Sequence, residues 1–414
     1  MQLLTFPSLV EAPFLIVKIG NYTFGNYDKR ALNSKLFDVK YPNFMQSAAI
    51  KKVNGALNTY TIVMDYAITQ GDDPNFLEKV FSSVSGTREI EISYGDYSYP
   101  TFIYAKEKAL ITKVQSNTDF ANSKIKYTIS CVSTALSARA GSYTFPQRKA
   151  KPSAVIKDII KTHSYGIKDI FPGMRDAQKV FSSGLIADDD VEVTLEQKTN
   201  VSLLDYLNYA VSCMQSNSDK ADNVIKQTRY YLTIRDDITE GFDGTYFMIT
   251  RVASASSGNV GKIKSSDVYE VDIGYPTNDL VSSFTINTNE IWSILYSASK
   301  DLKQSDYIYR ISDDGIVEDK YSPAISNDRT LLKTTASDKT WWTNMTQFPI
   351  QATMTVKGLL RPLLLMSYVK INVYFYGNKH ISSGLYIITQ QEDYIDSSGY
   401  KSVLNLTRVG GDSQ

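Results

Sequence analysis

The sequence contains few of the side chains that enzymes use for nucleophilic and metal chemistry. Its 414 residues include two cysteines and two histidines. Protein zinc sites are built mostly from these two residue types, so their scarcity nearly excludes a His/Cys zinc site. Neither His163 nor His380 stands in a pattern that links it to a nucleophilic cysteine or serine. We therefore expect no enzymatic activity, no bound metal and no cofactor.

The two cysteines show no redox spacing. Cys131 and Cys213 are far apart in the chain and form no CxxC motif. Cys131 lies on the apolar side of an alternating segment, and Cys213 lies in a helical pattern. Both patterns are typical of reduced thiols packed in a core, which predicts a chain that matures in a reducing compartment.

The chain also lacks net charge and long apolar runs. Lysine and arginine total 44, and so do aspartate and glutamate. This balance argues against a nucleic-acid-binding surface and a polybasic membrane anchor, and it favours association. No apolar run approaches the ~18 residues of a membrane span, and Glu11 interrupts the apolar stretch that a signal peptide would need. We expect no membrane insertion.

The acidic residues offer no recognisable cation site. Residues 188–190 are three aspartates followed by Glu192, but they lack the spacing and the glycine of an EF-hand loop. We interpret this run as a solvated loop that enters a strand. Asp236 and Asp237 are interpreted as turn residues.

Tyrosine is the residue in excess. The chain has 29 tyrosines, against 17 phenylalanines and 3 tryptophans. Tyrosine suits half-buried strand faces and subunit interfaces, where one end of the ring is apolar and the other is wet. A β-rich protein and a protein with large subunit contacts both fit this composition.

A chain of this length is too long for one ordinary core. Period-two alternation predicts half-buried strands near both ends, for example Tyr60, Ile62, Met64 and Tyr66, or Ala352, Met354 and Val356. We predict a first β-barrel domain at residues 1–145, an inserted α+β domain at residues 146–225, a β-rich connecting domain at residues 226–330 and a second β-barrel domain at residues 331–414.

Three helices are predicted before residue 226, and a short fourth helix, capped by Ser337, is predicted to carry Trp341, Trp342 and Met345. Asp73 is a candidate N-cap and Pro74 a first helical residue, followed by an apolar stripe from Phe76 to Val84. Pro152 opens a second helix, and residues 201–214 form a third. The second and third helices belong to the predicted α+β domain.

A short β pattern occurs twice. Residues 111–132 align without a gap to residues 388–409, at an offset of 388 − 111 = 277. The identical pairs are Ile111/Ile388, Thr112/Thr389, Asp119/Asp396, Lys124/Lys401 and Val132/Val409. Each copy ends one strand, crosses a polar turn and alternates through another strand. An internal duplication lets one chain imitate two subunits of a symmetric assembly.

Several stretches resemble the baseplate hub proteins of phage tails. They are FPQRKAKPSAVIKDIIKTH at residues 145–163, VEVTLEQKTNVSLLDYLNYAV at residues 191–211, and the stretch from TWWTNMTQ at residue 340 to VGGD at residue 412. The last stretch includes KGLLRP and SGLYIITQQED. The family also includes the hub part of type VI secretion spikes.

The resemblance implies a mainly β fold with an α+β insertion, in which each chain carries two tube-type β-barrel domains plus a further β segment. It implies a homotrimer whose barrels form a pseudo-sixfold ring. Such a ring would join the sixfold tail tube to a threefold central spike and leave a channel for passing DNA. The implied partners are the spike protein, the tail tube or a tube-initiator protein, and other baseplate wedge proteins. The implied location is the baseplate of the virion tail, contractile or long and non-contractile, assembled in the host bacterial cytoplasm.

Aromatic residues are the candidates for inter-barrel contacts. On a helix, Trp341 and Trp342 would point about 100° apart, so one ring could fill the core while the other contacts a neighbour. Tyr374 and Tyr376 lie on the outward face of an alternating segment. We expect all four near contacts between barrels, with core packing as the alternative for the tryptophan pair.

Two other functions remain open at this stage. A carbohydrate- or receptor-binding tail module would use tyrosine and tryptophan to stack on sugars. A tail-associated hydrolase would need a carboxylate pair, which sequence spacing cannot identify because the pairing is spatial. Neither alternative explains the duplication.

Overall fold

The computed structural model of the protein is mainly β, with short helices. It describes residues 2–3, 13–25, 41–42, 44–83, 89–96, 104–162, 167–168, 190–214, 229–236, 245–252, 269–274, 281–288, 308–312, 315–320, 350–357, 365–366, 368–380 and 382–411. The predicted fold class, mainly β with an α+β insertion, is confirmed.

The first β unit is built from the amino-terminal part of the chain. Its elements are β1 (Gln2–Leu3), β2 (Pro13–Ile19), β3 (Tyr22–Gly25), β4 (Tyr41–Pro42), β5 (Met45–Val53), β6 (Thr59–Ala67), α1 (Phe76–Ser83), β7 (Glu89–Asp96), β8 (Tyr104–Asp119) and β9 (Lys124–Ser133). Strand β1 lies apart from the others and pairs with a later strand of the chain. The alternating residues predicted to face inward, such as Tyr60, Ile62 and Met64, are buried in one core.

Helix α1 packs against this core through Leu77 and Val80, which are fully buried. Asp73, the predicted N-cap, interacts with the start of the helix but does not directly precede its first residue. Asp73 accepts a hydrogen bond from the backbone of Asn75 (2.9 Å) and forms an ion pair with Lys79 (2.6 Å). The helix begins at Phe76, two residues after the predicted start at Pro74.

The middle of the chain forms the α+β part. Its elements are a 3₁₀ turn (Thr134–Leu136), α2 (Ser137–Ala140), β10 (Tyr143–Phe145), β11 (Arg148–Ala150), α3 (Pro152–Thr162), β12 (Ile167–Lys168), β13 (Val193–Leu195), β14 (Lys198–Val201), α4 (Leu203–Ser212), β15 (Arg229–Arg235) and β16 (Thr245–Val252). Helices α3 and α4 pack their predicted apolar stripes against the antiparallel strands β15 and β16 in a second core. Ser202 caps α4 by accepting from the Asp205 backbone (3.1 Å).

The carboxy-terminal part forms the second β unit. Its strands are β17 (Tyr269–Ile273), β18 (Val281–Thr288), β19 (Ile308–Ser312), β20 (Gly315–Lys320), β21 (Ile350–Lys357), β22 (Tyr368–Phe375), β23 (Asn378–Lys379), β24 (Gly384–Asp396) and β25 (Gly399–Gly411). Its own core is centred on Met354, Ile371, Tyr386 and Leu404. Strand β18 lies in the segment that the prediction assigned to a connecting domain, and the four predicted boundaries stay predictions.

The two β units have the same strand order. Across the sheet the order is β5-β6-β9-β8-β7 in the first unit and β18-β21-β25-β24-β22 in the second. All of these ladders are antiparallel. Each strand also has the same place along the chain as its counterpart. The units are therefore two copies of one topology.

A β-bulge marks the same position in the two long hairpins. The register shifts around Thr112 in the β8–β9 ladder and around Thr389 in the β24–β25 ladder. Each threonine hydroxyl donates to a carbonyl of the partner strand, Thr112 to Ser130 (3.0 Å) and Thr389 to Asn405 (3.2 Å). The offset is 389 − 112 = 277 for the first strand and 405 − 130 = 275 for the second.

A second bulge repeats at the first strand of each unit. The register shifts around Gln46 in the β5–β6 ladder and around Ser282 in the β18–β21 ladder, an offset of 282 − 46 = 236. Bulges interrupt a ladder at one defined residue, so two coincident bulges are stronger evidence of duplication than sequence identity.

The structure corrects the gapless alignment after the turn. Residues 120–123 join β8 to β9, because Asp119 pairs with Lys124, whereas residues 397–398 join β24 to β25. The second turn is two residues shorter. Lys401 is therefore the counterpart of Lys126, and the identities at Lys124/Lys401 and Val132/Val409 do not join equivalent positions.

Candidate functional site

The two β units are joined by strand pairing. Strand β24 pairs with β22 through its first residues and continues beyond the end of that ladder. Its distal half then pairs with β5, from Gln390 opposite Val53 to Ile395 opposite Ala48. We call this β5–β24 contact the seam. It makes the sheet continuous from one unit to the other.

The tip of the β24–β25 hairpin contributes to the core of the first unit. Ile395 and Tyr400 are buried there. The ring of Tyr400 meets that of Tyr94 edge to face, with the centroids 6.2 Å apart. Burying apolar side chains of one unit in the core of the other couples their stabilities.

An ion pair lies buried beside the seam. The Lys52 ammonium on β5 contacts the Glu107 carboxylate on β8, and both side chains are almost fully buried. The hydroxyl of Tyr94 donates to one oxygen of Glu107 (2.8 Å), and that of Tyr60 donates to the other (2.7 Å). A buried pair needs such additional hydrogen bonds to offset the loss of hydration.

Asp236 connects this cluster to the α+β part. It follows β15 and is buried. One of its carboxylate oxygens accepts hydrogen bonds from the Ser133 hydroxyl (2.6 Å) and the Asn58 amide (2.8 Å), and the Tyr60 hydroxyl lies 3.0 Å away. The expectation that Asp236 is a turn residue is therefore wrong: it is a buried acceptor shared by two parts of the molecule.

Asp393 is a buried charged residue that the second unit places beside the seam. It is fully buried on β24 and accepts from the Ser402 hydroxyl (2.5 Å) and the Gln391 amide (2.7 Å). Burial raises the pKa of this carboxyl, and the charge of Lys52 offsets part of the rise. Burial also raises the pKa of Tyr60, Tyr94 and Tyr400 well above the usual value, so these phenols remain protonated donors.

The outer face of the seam carries a second, more exposed ion pair. Lys51 on β5 contacts Glu392, its direct cross-strand neighbour on β24. Burial tends to raise the pKa of Glu392, but hydrogen bonds from Lys51 and Tyr394 outweigh it and lower the pKa. The seam thus has one charged pair on each face of the sheet.

This arrangement is suited to fixing geometry. The buried carboxylates and the Lys52 ammonium are enclosed by protein and interact with groups from the first unit, the α+β part and the second unit. These interactions favour one orientation of the three parts. Within the residues that the structure describes, no group of three histidine, cysteine or acidic side chains could hold a metal ion. No helix in that same part of the chain is long and apolar enough to cross a bilayer.

The structure describes two of the four aromatic residues predicted at contacts between barrels, Tyr374 and Tyr376. Trp341 and Trp342 fall outside the described residues. Tyr374 is half-buried on β22. Tyr376 is fully exposed and lies beyond the strand end, which the prediction missed. Tyr376 and Gly377 both have positive φ (52° and 84°), as a tight hairpin turn requires, so β22 ends before Tyr376.

Sequence reasoning missed the seam residues, although one signal was available. Lys52 and Asp393 occupy inward positions of alternating strands, next to Ile50 and Ile395 respectively. A charged residue on the apolar face of a strand indicates a buried partner. The same reasoning applies to Asp190, which was interpreted as a solvated loop residue. It is buried and accepts from the Ser153 backbone (2.9 Å) and hydroxyl (2.6 Å) at the start of α3.

Both cysteines are free and buried, as predicted. Burial raises the pKa of Cys131 to about 12 and that of Cys213 to about 11. These thiols therefore stay protonated and unreactive at neutral pH.

Comparison with known proteins finds structural similarity but no related sequence. No protein-family model matches the sequence, and no curated protein matches it significantly. The 43 kDa tail protein of prophage MuSo2 from Shewanella oneidensis is 13% identical with a TM-score of 0.50, and the match covers 96% of this chain and 98% of that one. A tail protein from Neisseria meningitidis MC58 is 9% identical (TM-score 0.49, 96% and 97% covered). A type VI secretion component of E. coli, similar in structure to the T4 bacteriophage tail proteins gp27 and gp5, is 7% identical (TM-score 0.45, 95% and 76% covered). The structural neighbours are thus phage tail and type VI secretion proteins, and this chain has the overall fold of the MuSo2 tail protein.

Proposed function

We propose that the protein is a structural component of a phage tail and serves there as the baseplate hub. In this role three copies form a ring of six similar β units. The ring joins the sixfold tail tube to the threefold central spike and leaves a channel for DNA. Its partners are the spike protein, the tube or tube-initiator protein and the wedge proteins of the baseplate in the virion.

One observation carries this proposal: a single chain holds two copies of one β topology with coincident bulges. Two equivalent units in each of three chains present six similar surfaces to a sixfold tube. The trimer of chains keeps threefold symmetry, which matches that of the spike. Duplication within the chain is the simplest way to connect rings of these two symmetries.

The seam supports the same role. A symmetry adaptor needs a defined angle between its two units, since an error at each junction would prevent ring closure. Continuous strand pairing, a shared core and a buried ion pair hold that angle here. We also propose that the protein is not an enzyme, because the seam uses its buried carboxylates in fixed internal contacts.

The native mass of the purified protein tests the proposal. We expect about 139 kDa, three times the 46.4 kDa of one chain, by light scattering or native mass spectrometry. Electron microscopy of that species should show a ring of six similar lobes around a channel. If the chain stays monomeric alone, addition of the spike protein from the same tail should produce a 3:3 complex. A monomer in both conditions contradicts the hub.

A carbohydrate- or receptor-binding module is the alternative. Phe375 and Tyr376 are exposed next to each other at the β22–β23 turn, and such rings can stack on sugars. Glycan-array binding that is lost in the Tyr376→Ala variant would favour this alternative. The hub leads because the alternative leaves the duplicated unit without a role.

A further inference from the structure

The duplicated topology leaves one strand pairing without a counterpart inside the chain. In the seam, the distal half of β24 pairs with β5. The counterpart of β24 is β8, and that of β5 is β18. Among the described residues, the distal half of β8 pairs with β9, and β18 pairs with β21. Each of these strands therefore has one edge that the described part of a single chain does not cover.

The described side chains along both of these strand segments are exposed or half-buried. Residues 115–119 of β8 are exposed, and Val114 is half-buried. In β18, Thr285 and Asn287 are exposed, and Phe284 and Ile286 are half-buried. Strand edges of this length offer rows of backbone donors and acceptors to a second chain.

We infer that the distal half of β8 in one copy pairs with β18 of the next copy and so reproduces the seam between chains. This inference rests on the proposed hub function, because it names the contact that joins neighbouring chains in the hub ring. The offsets of 277 for β8 to β24 and 236 for β5 to β18 transfer the seam register. Gln115 then lies opposite Asn287, where Glu392 lies opposite Lys51 in the seam, and Thr118 lies opposite Phe284.

The side chains on the outer face change together. The seam has the Lys51–Glu392 ion pair at this cross-strand position. At the counterpart position of the interchain contact, both charges are replaced by amides, Asn287 and Gln115. Replacing only one partner would leave a lone charge opposite a neutral residue. Two neutral residues opposite each other are compatible with strand pairing at this position.

The inner face changes in the same concerted way. The buried charges of the seam are Lys52, Glu107 and Asp393, and their counterparts are Thr288, Gly384 and Ser116 respectively. All three counterparts are uncharged. An unpaired charge at any of them would oppose burial between chains. The interchain contact can therefore form without a buried ionic cluster.

Neither edge carries, at the positions that would pair, the charges or prolines that often prevent strand addition. Natural edge strands are protected by charged residues, especially lysine, and by proline. Residues 114–118 of β8 and the whole of β18 contain neither. Both edges are therefore ready to accept a strand.

The partner is a second copy of this chain, bound head to tail. The contact joins two different surfaces, so each copy still offers one free edge of each kind. Such a heterologous contact closes into a ring or grows into a filament, depending on the rotation between copies. With one seam inside each chain and one contact between chains, three copies give a ring with six matching junctions.

Cysteine cross-linking of mixed single variants tests the register. The Gln115→Cys protein is mixed with the Asn287→Cys protein and oxidised, and covalent dimers are counted on a non-reducing gel. Cross-strand partners lie about 4.5–5.5 Å apart between Cα atoms, within disulfide range. The buried Cys131 and Cys213 do not interfere. We expect a dimer from this mixture and a marked loss of it when either variant is oxidised alone.

The matched control is Ser116→Cys mixed with Asn287→Cys. Ser116 is also exposed but points to the opposite face of β8, so it should give little or no dimer. A mixture of Gln115→Cys and Asn287→Cys that links no better than this control overturns the inference. Dimers from Gln115→Cys alone would indicate a symmetric contact and would also overturn it.

Charge variants separate this inference from the hub itself. The Gln115→Lys/Asn287→Lys variant places like charges opposite each other and should lose the trimer. The Gln115→Glu/Asn287→Lys variant restores the pair of the seam and should regain it. A wild-type trimer that both variants leave unchanged overturns the contact but keeps the hub. A wild type that is monomeric with and without the spike contradicts the hub.

Discussion

Lys51 and Lys52 are neighbours on β5, yet their side chains meet opposite environments. Lys51 is half-exposed beside Glu392, whereas Lys52 is buried with Glu107. Exposed ion pairs contribute little because water screens them, while removal of one partner of a buried pair leaves a charge without compensation. Substitutions at these two positions therefore compare an exposed ion pair with a buried ion pair within one strand.

We expect Lys52→Ala to destabilise the folded protein by about 3–5 kcal/mol, since Glu107 would remain buried without its cation. Lys51→Ala, its matched control, should cost at most about 1 kcal/mol. Chemical denaturation followed by circular dichroism measures both changes. Equal effects of the two substitutions would contradict the buried ion pair.

Asp393 and Asp396 should give stability opposite dependences on pH. The folded-state pKa of Asp393 is raised by burial, so the folded protein binds its proton more tightly than the unfolded chain. Its contribution therefore becomes less favourable as pH rises from the unfolded pKa of about 3.8 through the folded pKa. Lys52, Glu107, Tyr94 and Tyr400 are ionisable groups that interact with it.

The pKa of Asp396 is lowered, chiefly by the hydrogen bond from Ser398. Its contribution is present above the unfolded pKa and is lost as pH falls through the folded pKa. Comparing wild type with Asp393→Asn and with Asp396→Asn, by denaturation from pH 3 to 7 (roughly the carboxyl range), should give differences that change with pH in opposite directions. Differences that change with pH in the same direction would contradict the raised pKa of Asp393.

At the scale of elements, the β24–β25 hairpin serves two units at once. Its proximal part completes the sheet of the second unit, and its tip enters the core of the first. The β8–β9 hairpin has the same bulge and the same pairing to its own unit, but its tip is exposed. Equivalent residues at the two hairpin tips are therefore buried in the β24–β25 hairpin and exposed in the β8–β9 hairpin.

Ile395→Ala should destabilise the first unit by about 2–5 kcal/mol, because a buried side chain is removed from its core. The counterpart substitution Thr118→Ala should change the stability of the isolated chain by no more than about 0.5 kcal/mol, since Thr118 is exposed. Hydrogen exchange of the β6 and β7 amides measures the effect where it should occur. Loss of protection confined to the second unit would contradict the shared core.

Sequence periodicity predicted most of these elements well. The alternation of residues 58–66, 88–94 and 352–356 matches β6, β7 and β21, because one-sided burial imposes a period of two. Helices α3 and α4 were predicted from apolar stripes. The end of β22 was missed because Tyr376 favours a strand by composition, while the local turn through Gly377 decides its conformation.

At the scale of the whole molecule, association should appear as a dependence of thermal stability on concentration. A partner that binds only the folded chain stabilises it by mass action. We expect the Tm of the wild type to rise with protein concentration. The Gln115→Lys/Asn287→Lys variant should keep a constant Tm, equal to that of the wild type at high dilution. Differential scanning calorimetry over a wide concentration range measures both, and a wild-type Tm that does not vary would contradict association.

The sequence by itself determined the fold class, the alternating strands, the apolar faces of the helices and the presence of a duplicated hairpin. These features depend on local periodicity and on residue type, which are readable along the chain. The seam was decided only by tertiary structure. It depends on residues far apart in sequence, such as Lys52, Glu107, Asp236 and Asp393, and on the register of β24 against β5. Pairing of distant strands is set by the packing of both units together, and no single segment carries that information.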